Sequence, residues 1–505
     1  MSSASALLIG VDIGTTNLKA VALRPSGQVE AVARRAMAIA RPEAGAAEFD
    51  LDVLDRDLVA VLKDVVDILS TKGISTGAVA AVGVASIGES FVGLDASGRR
   101  VLPCPTWYDR RTRNLREQWG LSAQQWFDIT GMVDDDIYTG YRLDWWRRKH
   151  ADAFAKVESW LMVADYAVYR LCGAKVSHPS LAARSGLADR RSGNWSQELL
   201  DALGLPIDRL PELKPAATVA GTLSDRIAQV TGLPAGLPVV NSGHDHPCAG
   251  LGCGLVDPGR MMDSTGTAES INTVVTAPMT FAQVGAGAYD CFPHAVGGRF
   301  LLSGHTPASG AFLDWLVAML GGPDAEEGTA DLLWKAAAAE PPGSHGLHVS
   351  PYLAGTGAPW NRRDIRADLS MIGHATSAGA ILRAGVEALA AWLALNLTRF
   401  EAITGVIPAE LTVTGGGARN ELANAVKAAM VRRPLVAPSV DEAAGAGAGL
   451  VAGLATGVIA NASDLASLAD VTWRRIEMDA ELAEIYREIV PPLQNHLTPP
   501  DTAHG

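Results

Sequence analysis

Apolar residues in this chain come in short blocks closed by turns of glycine, threonine and serine. The block at 6–12 is almost wholly apolar, and after Gly14-Thr15-Thr16 a second block follows at 17–23. Runs this short, bounded by turn residues, predict two strands of a hairpin. Pro25-Ser26-Gly27 predicts another turn, then a third strand near 28–34. Helical spacing predicts a helix over 51–71, and Val79–Gly83 reads as a short buried strand. Trp-rich amphipathic segments at 112–128 and 142–173 read as helices, and Leu233–Pro238 as a loop before the strand Val239-Val240.

The second half repeats this order. Met261–Val275 again reads strand, short turn (Gly266-Thr267), strand. Further strands are expected around 286–304, a long helix over 377–404 and a strand at Leu411–Thr414. Gly415–Ala418 is then a turn, Asn420–Val431 a helix and Ala443–Val458 a small-residue helix. The Gly-rich stretch Ala249–Gly254 marks the boundary, giving domains 1–247 and 248–490, with a polar, Pro-rich tail at 491–505 that frays. Two such hairpins predict two related domains clamping one nucleotide.

Composition narrows the classes. The chain has 505 residues, 48% of them hydrophobic and 19% charged, as in globular proteins with sizeable cores. A formal net charge of -13 argues against nucleic acid or an anionic membrane as partner. Five cysteines without C-x-x-C spacing, no basic leader and no membrane-length apolar stretch predict a reduced, cytoplasmic protein. A homodimer is compatible with the chain, and no residue decides it.

Several groups could carry chemistry. A Gly-Thr-Thr turn aims amides and hydroxyls at one spot, which suits a phosphate. Asp12, just before Gly14, Thr15 and Thr16, could hold a phosphate-bound Mg²⁺ through water, or simply bond to its own backbone. No G-x-x-x-x-G-K-[ST] is present, which excludes a Walker A loop. Gly415–Gly417 serves either a tight turn or close approach of a ligand, and it lacks the G-x-G-x-x-G of a dinucleotide fold. Asn241–His246 follows a buried strand, where ligands collect in α/β sheets. There Asp245 could be a general base, His244 and His246 could bind a metal, or the group could be a polar loop. Glu89, Trp107 and Asp109 with Arg110 and Arg111 either grip a polyhydroxylated ligand or form a surface ion pair beside a half-buried Trp.

These segments, in this order and spacing, resemble the FGGY family of carbohydrate kinases. The resemblance spans roughly Leu7 to Leu454. It rests on Asp12–Thr16, Gly243–Asp245, Asp263–Thr267, Pro351–Gly355 with Ala358–Trp360, Arg383–Ala388, Gly415–Asn420 and Glu442–Gly449. It implies an α/β fold of two ribonuclease-H-like, actin-like ATPase domains flanking a nucleotide and sugar cleft. It implies an ATP- and Mg²⁺-dependent kinase of a small sugar or polyol, with Asp245 as general base and Asp12 near the metal. Glu89, Trp107, Asp109 and His246 are then expected at the sugar. Gly14, Thr15, Thr16, Gly266, Thr267, Gly310, Gly416 and Asn420 are expected around the nucleotide. A regulatory ATPase of the actin and Hsp70 type is the competing reading. Departures at Thr356–Pro359, around Glu89 and at His246 leave the sugar unassigned.

Overall fold

The computed structural model describes residues 6–500 apart from 113–114, 116–118, 324, 439–441, 467 and 469. Strands β1 (Leu7–Ile13), β2 (Asn17–Leu23) and β3 (Val29–Ala36) form an antiparallel meander. Helix α1 (Leu51–Thr71) starts where the Asp50 carboxylate accepts from the amides of Asp52 and Val53, filling donors the first turn leaves open. Its stripe of leucines and valines is buried. Strand β4 (Val79–Ser86) runs parallel to β1. Helices α2 (Ala123–Thr130), α3 (Thr139–Lys149), α4 (Val163–Cys172) and α5 (Pro179–Ala183) precede β5 (Val219–Thr222) and β6 (Pro238–His244). The sheet order is β5-β6-β4-β1-β2-β3. Strand β6 runs directly into helix α6 (Asp245–Gly252).

The second half builds a matching sheet. It contains β7 (Met261–Thr265), β8 (Glu269–Val275), β9 (Asp290–Pro293) and β10 (Phe300–Thr306). Helices α7 (Gly310–Gly321) and α8 (Ala378–Thr404) follow, then β11 (Leu411–Thr414), helix α9 (Glu421–Val431), β12 (Leu435–Pro438) and helix α10 (Ala443–Ala455). Strand β13 (Trp473–Ile476) and helix α11 (Ala480–Leu497) end the order. The sheet runs β9-β10-β8-β7-β11-β12-β13. Strand for strand, β10-β8-β7-β11-β12-β13 repeats β3-β2-β1-β4-β6-β5. Helix α8 is long and apolar enough to cross a membrane, but 83% of its apolar window is buried in the core of this half.

The seam between the halves is backbone against backbone. Helix α10 packs on α6 and on the first sheet through glycines. A Cβ on Gly10 would stand 1.8 Å from the Gly445 carbonyl, and one on Gly447 would stand 1.8 Å from the Cys248 carbonyl. Only glycine allows that approach. Ser242 Oγ donates to the Ala448 carbonyl at 2.9 Å across the same seam.

Three sequence expectations fail. The helix expected over 142–173 is broken by a strand, Ser159–Met162, that pairs with Phe91–Leu94. All four residues of that strand are buried, so it shows no alternation and reads like a helix interior. Of the helix expected over 112–128, the described α-helix begins at Ala123. It is set by a capping box of Ser122 and Gln125, and residues 113–114 and 116–118 lie outside the described residues. The tail does not fray at Pro491. Helix α11 continues through Pro491 and Pro492, because Leu493 and Leu497 are buried and the Leu497 carbonyl accepts from Tyr352 Oη at 2.8 Å. Tertiary anchoring there outweighs the lost helix bonds.

Candidate active site

Both Gly/Thr-turn hairpins, the end of β6 and the Gly415 turn open on one cleft of about 950 Å³. It is lined by Asp12, Gly14, Thr15, Thr16, Glu89, Trp107, Asp109, Asp245, His246, Gly266, Thr267 and Gly416. Parallel strands β1, β4 and β6 deliver three of these from their carboxyl ends. Asp12 sits near the end of β1, Glu89 follows β4, and Asp245 opens α6.

Asp245 is held by one oxygen. His244 Nε2 lies 2.9 Å from its Oδ1, and the His246 amide donates to the same oxygen at 2.7 Å. Its Oδ2 has no protein partner among the described residues. Burial pushes the carboxyl up, but His244 and His246 pull it down further, to about 2. The His246 side chain is exposed to the cleft, its ring 5.0 Å from that of His244. Asp245 is therefore an ionised acceptor with one oxygen fixed and one free.

Asp12 is its counterpart. Burial and the nearby Asp245 charge push it up to about 7, against the pull of Lys19. Its Oδ1 is buried without a hydrogen-bond partner. Lys19 faces it across the hairpin but pairs with Glu442 at 2.8 Å. A buried carboxylate oxygen left open beside a second carboxylate fits a divalent cation. Among the described residues no group of three or more His, Cys, Asp or Glu could hold a metal alone. A cation here would lean on water and phosphate oxygens.

The sugar end differs from the expectation. Glu89 adopts a left-handed backbone, φ 61°. Arg184 Nε donates to its Oε1 at 2.6 Å, and Nη2 pairs with the same oxygen. Arg184 Nη1 lies 3.3 Å from Asp290 Oδ2 on β9. Arg184 and Asp290 line the cleft and escaped the sequence reading. Asp109 is committed elsewhere: its carboxylate accepts from the Ala47 amide at 3.0 Å and pairs with Arg111 at 2.8 Å. Its side chain is 1% exposed, so it braces the loop beneath Trp107.

Toward the second hairpin, Gly310 and Asn420 stand behind the lining. The Gly310 amide donates to the Gly266 carbonyl at 3.0 Å and props the second hairpin. Asn420 caps α9, its Oδ1 accepting from the Ala423 amide at 2.9 Å. Beneath that hairpin lies Lys427, also unforeseen. Its Nζ donates to Asp263 Oδ2 at 2.6 Å, Thr265 Oγ1 at 2.8 Å and Glu269 Oε1 at 2.6 Å.

Comparison with known proteins gives these features a family. The description "FGGY family of carbohydrate kinases, N-terminal domain" matches residues 7–252, and its C-terminal counterpart matches 261–456. A glycerol kinase of Polaromonas naphthalenivorans is 28% identical over 490 residues, covering 93% of this chain and 94% of that protein. A gluconokinase of Bacillus subtilis is 24% identical, covering 96% and 94%. A xylulose kinase structure from Lactobacillus acidophilus superposes with a TM-score of 0.86 at 23% identity, covering 97% of each chain. It shows the two-domain actin-like ATPase fold. The chain belongs to the FGGY family of carbohydrate kinases and transfers a phosphoryl group from ATP to a sugar or polyol.

Proposed function

We propose that Asp245 is the general base of this kinase and that its acceptor is a small, uncharged, open-chain polyol or ketose. The observation that carries the reading is the free Oδ2 of a carboxylate fixed by its other oxygen, in the cleft shared by both phosphate hairpins. Phosphoryl transfer needs mainly positioning and charge neutralisation. Asp245 takes the proton of the attacking hydroxyl, and the low basicity of its carboxylate suits a late transfer. The turn of Gly14, Thr15 and Thr16 and that of Gly266 and Thr267 hold the phosphates, and Gly416 lines the adenosine end. Asp12 would hold Mg²⁺ through water, and the ion would neutralise charge on the phosphates when bound.

Glu89 accepts hydroxyl hydrogen bonds beside Trp107 and His246. Two carboxylates share the Arg184 guanidinium here, and an acceptor carboxylate placed beside them would be disfavoured. A regulatory ATPase has no use for such a buried charged pocket beside its nucleotide. Halves 1–247 and 248–490 close on one another when both ligands bind, excluding water. The five free cysteines fit a reducing, cytoplasmic setting.

The test is Asp245→Asn together with an ATP-consumption screen over polyols, ketopentoses, deoxy-ketoses and aldonates. Loss of the base lowers kcat by about a hundred- to ten-thousand-fold while sugar and nucleotide binding persist. A variant retaining more than roughly a tenth of the rate removes Asp245 from this role. Aldonates as the best acceptors overturn the substrate assignment.

A further inference from the structure

Two carboxylates of the cleft, one from each half, converge on Arg184. It follows α5 in the first half, with its side chain 12% exposed. Two of its nitrogens hold Glu89 Oε1, and the third reaches Asp290 in the second half. Its guanidinium lies over the rings of Tyr138 at 5.5 Å and Phe292 at 5.8 Å, one from each half. Gly88 makes room for it: a Cβ there would stand 2.6 Å from Arg184 Cβ. The left-handed backbone of Glu89 is a cost for a non-glycine residue, sustained only where surroundings over-determine it. Arg184 on the side chain and Thr139 Oγ1 on the Glu89 carbonyl, at 2.9 Å, supply that constraint.

Asp290 is gripped from the first half twice. Arg184 meets its Oδ2, and the Val133 amide donates to its Oδ1 at 2.7 Å. The carboxylate sits on β9, which pairs with β10, and β10 pairs with β8 as far as Thr306 opposite Glu269. Glu269 is the first residue after the second phosphate turn. One continuous ladder thus joins the sugar carboxylate Glu89, through Arg184 and Asp290, to the second phosphate hairpin.

We propose that Arg184 is a positioning residue that couples acceptor binding to nucleotide binding. An acceptor that orders Glu89 through its free oxygen orders Arg184 as well. Arg184 then fixes Asp290, and with it the sheet that carries the second phosphate hairpin, over the nucleotide. The linkage is reciprocal, so ATP tightens the acceptor by the same factor. The proposal rests on the placement of the acceptor at Glu89.

The experiment measures binding of a non-hydrolysable ATP analogue with and without acceptor, using the fastest acceptor among glycerol, D-xylulose, xylitol and D-gluconate. In the unmodified enzyme the acceptor tightens the analogue by about five-fold or more. Arg184→Met and Asp290→Asn abolish that tightening while analogue affinity without acceptor stays within about two-fold. Arg184→Lys, which keeps the charge but not the fork, restores part of it. Asp290→Asn preserves an acceptor for the Val133 amide and leaves no lone buried charge, so it reports even if Arg184→Met does not fold. Tightening that survives in Asp290→Asn, or that is absent from the unmodified enzyme, overturns the proposal. Glu89→Gln separates the two readings. If it leaves acceptor KM unchanged, the acceptor placement itself fails and the coupling falls with it. If it raises acceptor KM while Arg184→Lys and Asp290→Asn keep full tightening, only the coupling fails.

Discussion

The two Gly/Thr-turn hairpins share one design and have opposite electrostatics. Each has an aspartate near the end of its first strand, Asp12 on β1 and Asp263 on β7, followed by a short Gly/Thr turn. At the first hairpin the aspartate lacks a cation of its own. Lys19 turns to Glu442, and Asp12 keeps a buried oxygen without a partner. At the second, Lys427 is buried beneath the turn and salt-bridged to Asp263 and Glu269. Hairpin geometry is therefore shared while the counter-charge differs: an Asp12 oxygen has no hydrogen-bond partner among the described residues, and Asp263 is paired with a buried lysine.

The largest effect expected from this difference is on catalysis. Asp12→Asn should lower kcat by about a hundred- to a thousand-fold, since a bound metal contributes several kcal/mol to the transition state. The Mg²⁺ concentration for half-maximal rate should rise with it. A near-normal rate with unchanged Mg²⁺ dependence would show that the first hairpin is no more a cation site than the second.

Next is stability at the second hairpin. Lys427→Met strands two buried carboxylates, and breaking a buried ion pair costs roughly 3–5 kcal/mol. Thermal unfolding of the apo protein should fall by about ten degrees, and KM for ATP should rise. The triple variant Lys427→Met with Asp263→Asn and Glu269→Gln should regain most of the lost stability, because no lone charge remains. A single Lys427→Met as stable as the parent would mean that the internal cation is dispensable.

What the sequence disclosed follows the same division between local and distant. Hairpins and turns are local patterns of apolar runs and turn residues, and they were legible. Charge partners were not. Arg184 meets Glu89 across 95 residues, and Lys427 meets Asp263 across 164. Nothing about an arginine after a short helix or a lysine in an Ala-rich one marks such a role. At Asp109 the unread contact is a short one. Its partner Arg111 is two residues away, and the sequence reading placed both side chains nearby without committing them to a pair. The Ser159–Met162 strand was hidden because complete burial erases its alternation.

A smaller effect separates the supports of the turns. A Cβ on Gly310 would meet the Gly266 carbonyl at 2.4 Å, whereas one on Gly14 meets only the Asn17 carbonyl, at 3.2 Å. Gly310→Ala forces the second turn to move, and overpacking of this kind costs about 1–3 kcal/mol. Its kcat/KM for ATP should fall by about ten- to a hundred-fold, with acceptor KM nearly unchanged. Gly14→Ala should lose less. The reverse order would place the rigid turn at the first hairpin.

The smallest effect is a pH dependence of stability that the first hairpin should show through its aspartate. The Asp12 carboxyl is pushed from its ordinary 3.8 up to about 7 by burial first and by Asp245 second. The folded chain therefore holds a proton there that the unfolded chain has released between those two values. Stability falls as pH rises through that window, and the full cost of the buried charge is present above about 7. Asp12→Asn removes the charge. Without ligands, its melting temperature should exceed the parent's by about two to four degrees at pH 8, and the gain should vanish near pH 4. Mg²⁺ with an ATP analogue should stabilise the parent more than the variant and reverse the order at pH 8. Scanning calorimetry at the two pH values, with and without Mg²⁺ and analogue, decides it. An Asp12→Asn protein less stable than the parent at pH 8 without ligands would mean that Asp12 already has an internal partner, as Asp263 does, and the contrast between the hairpins would collapse.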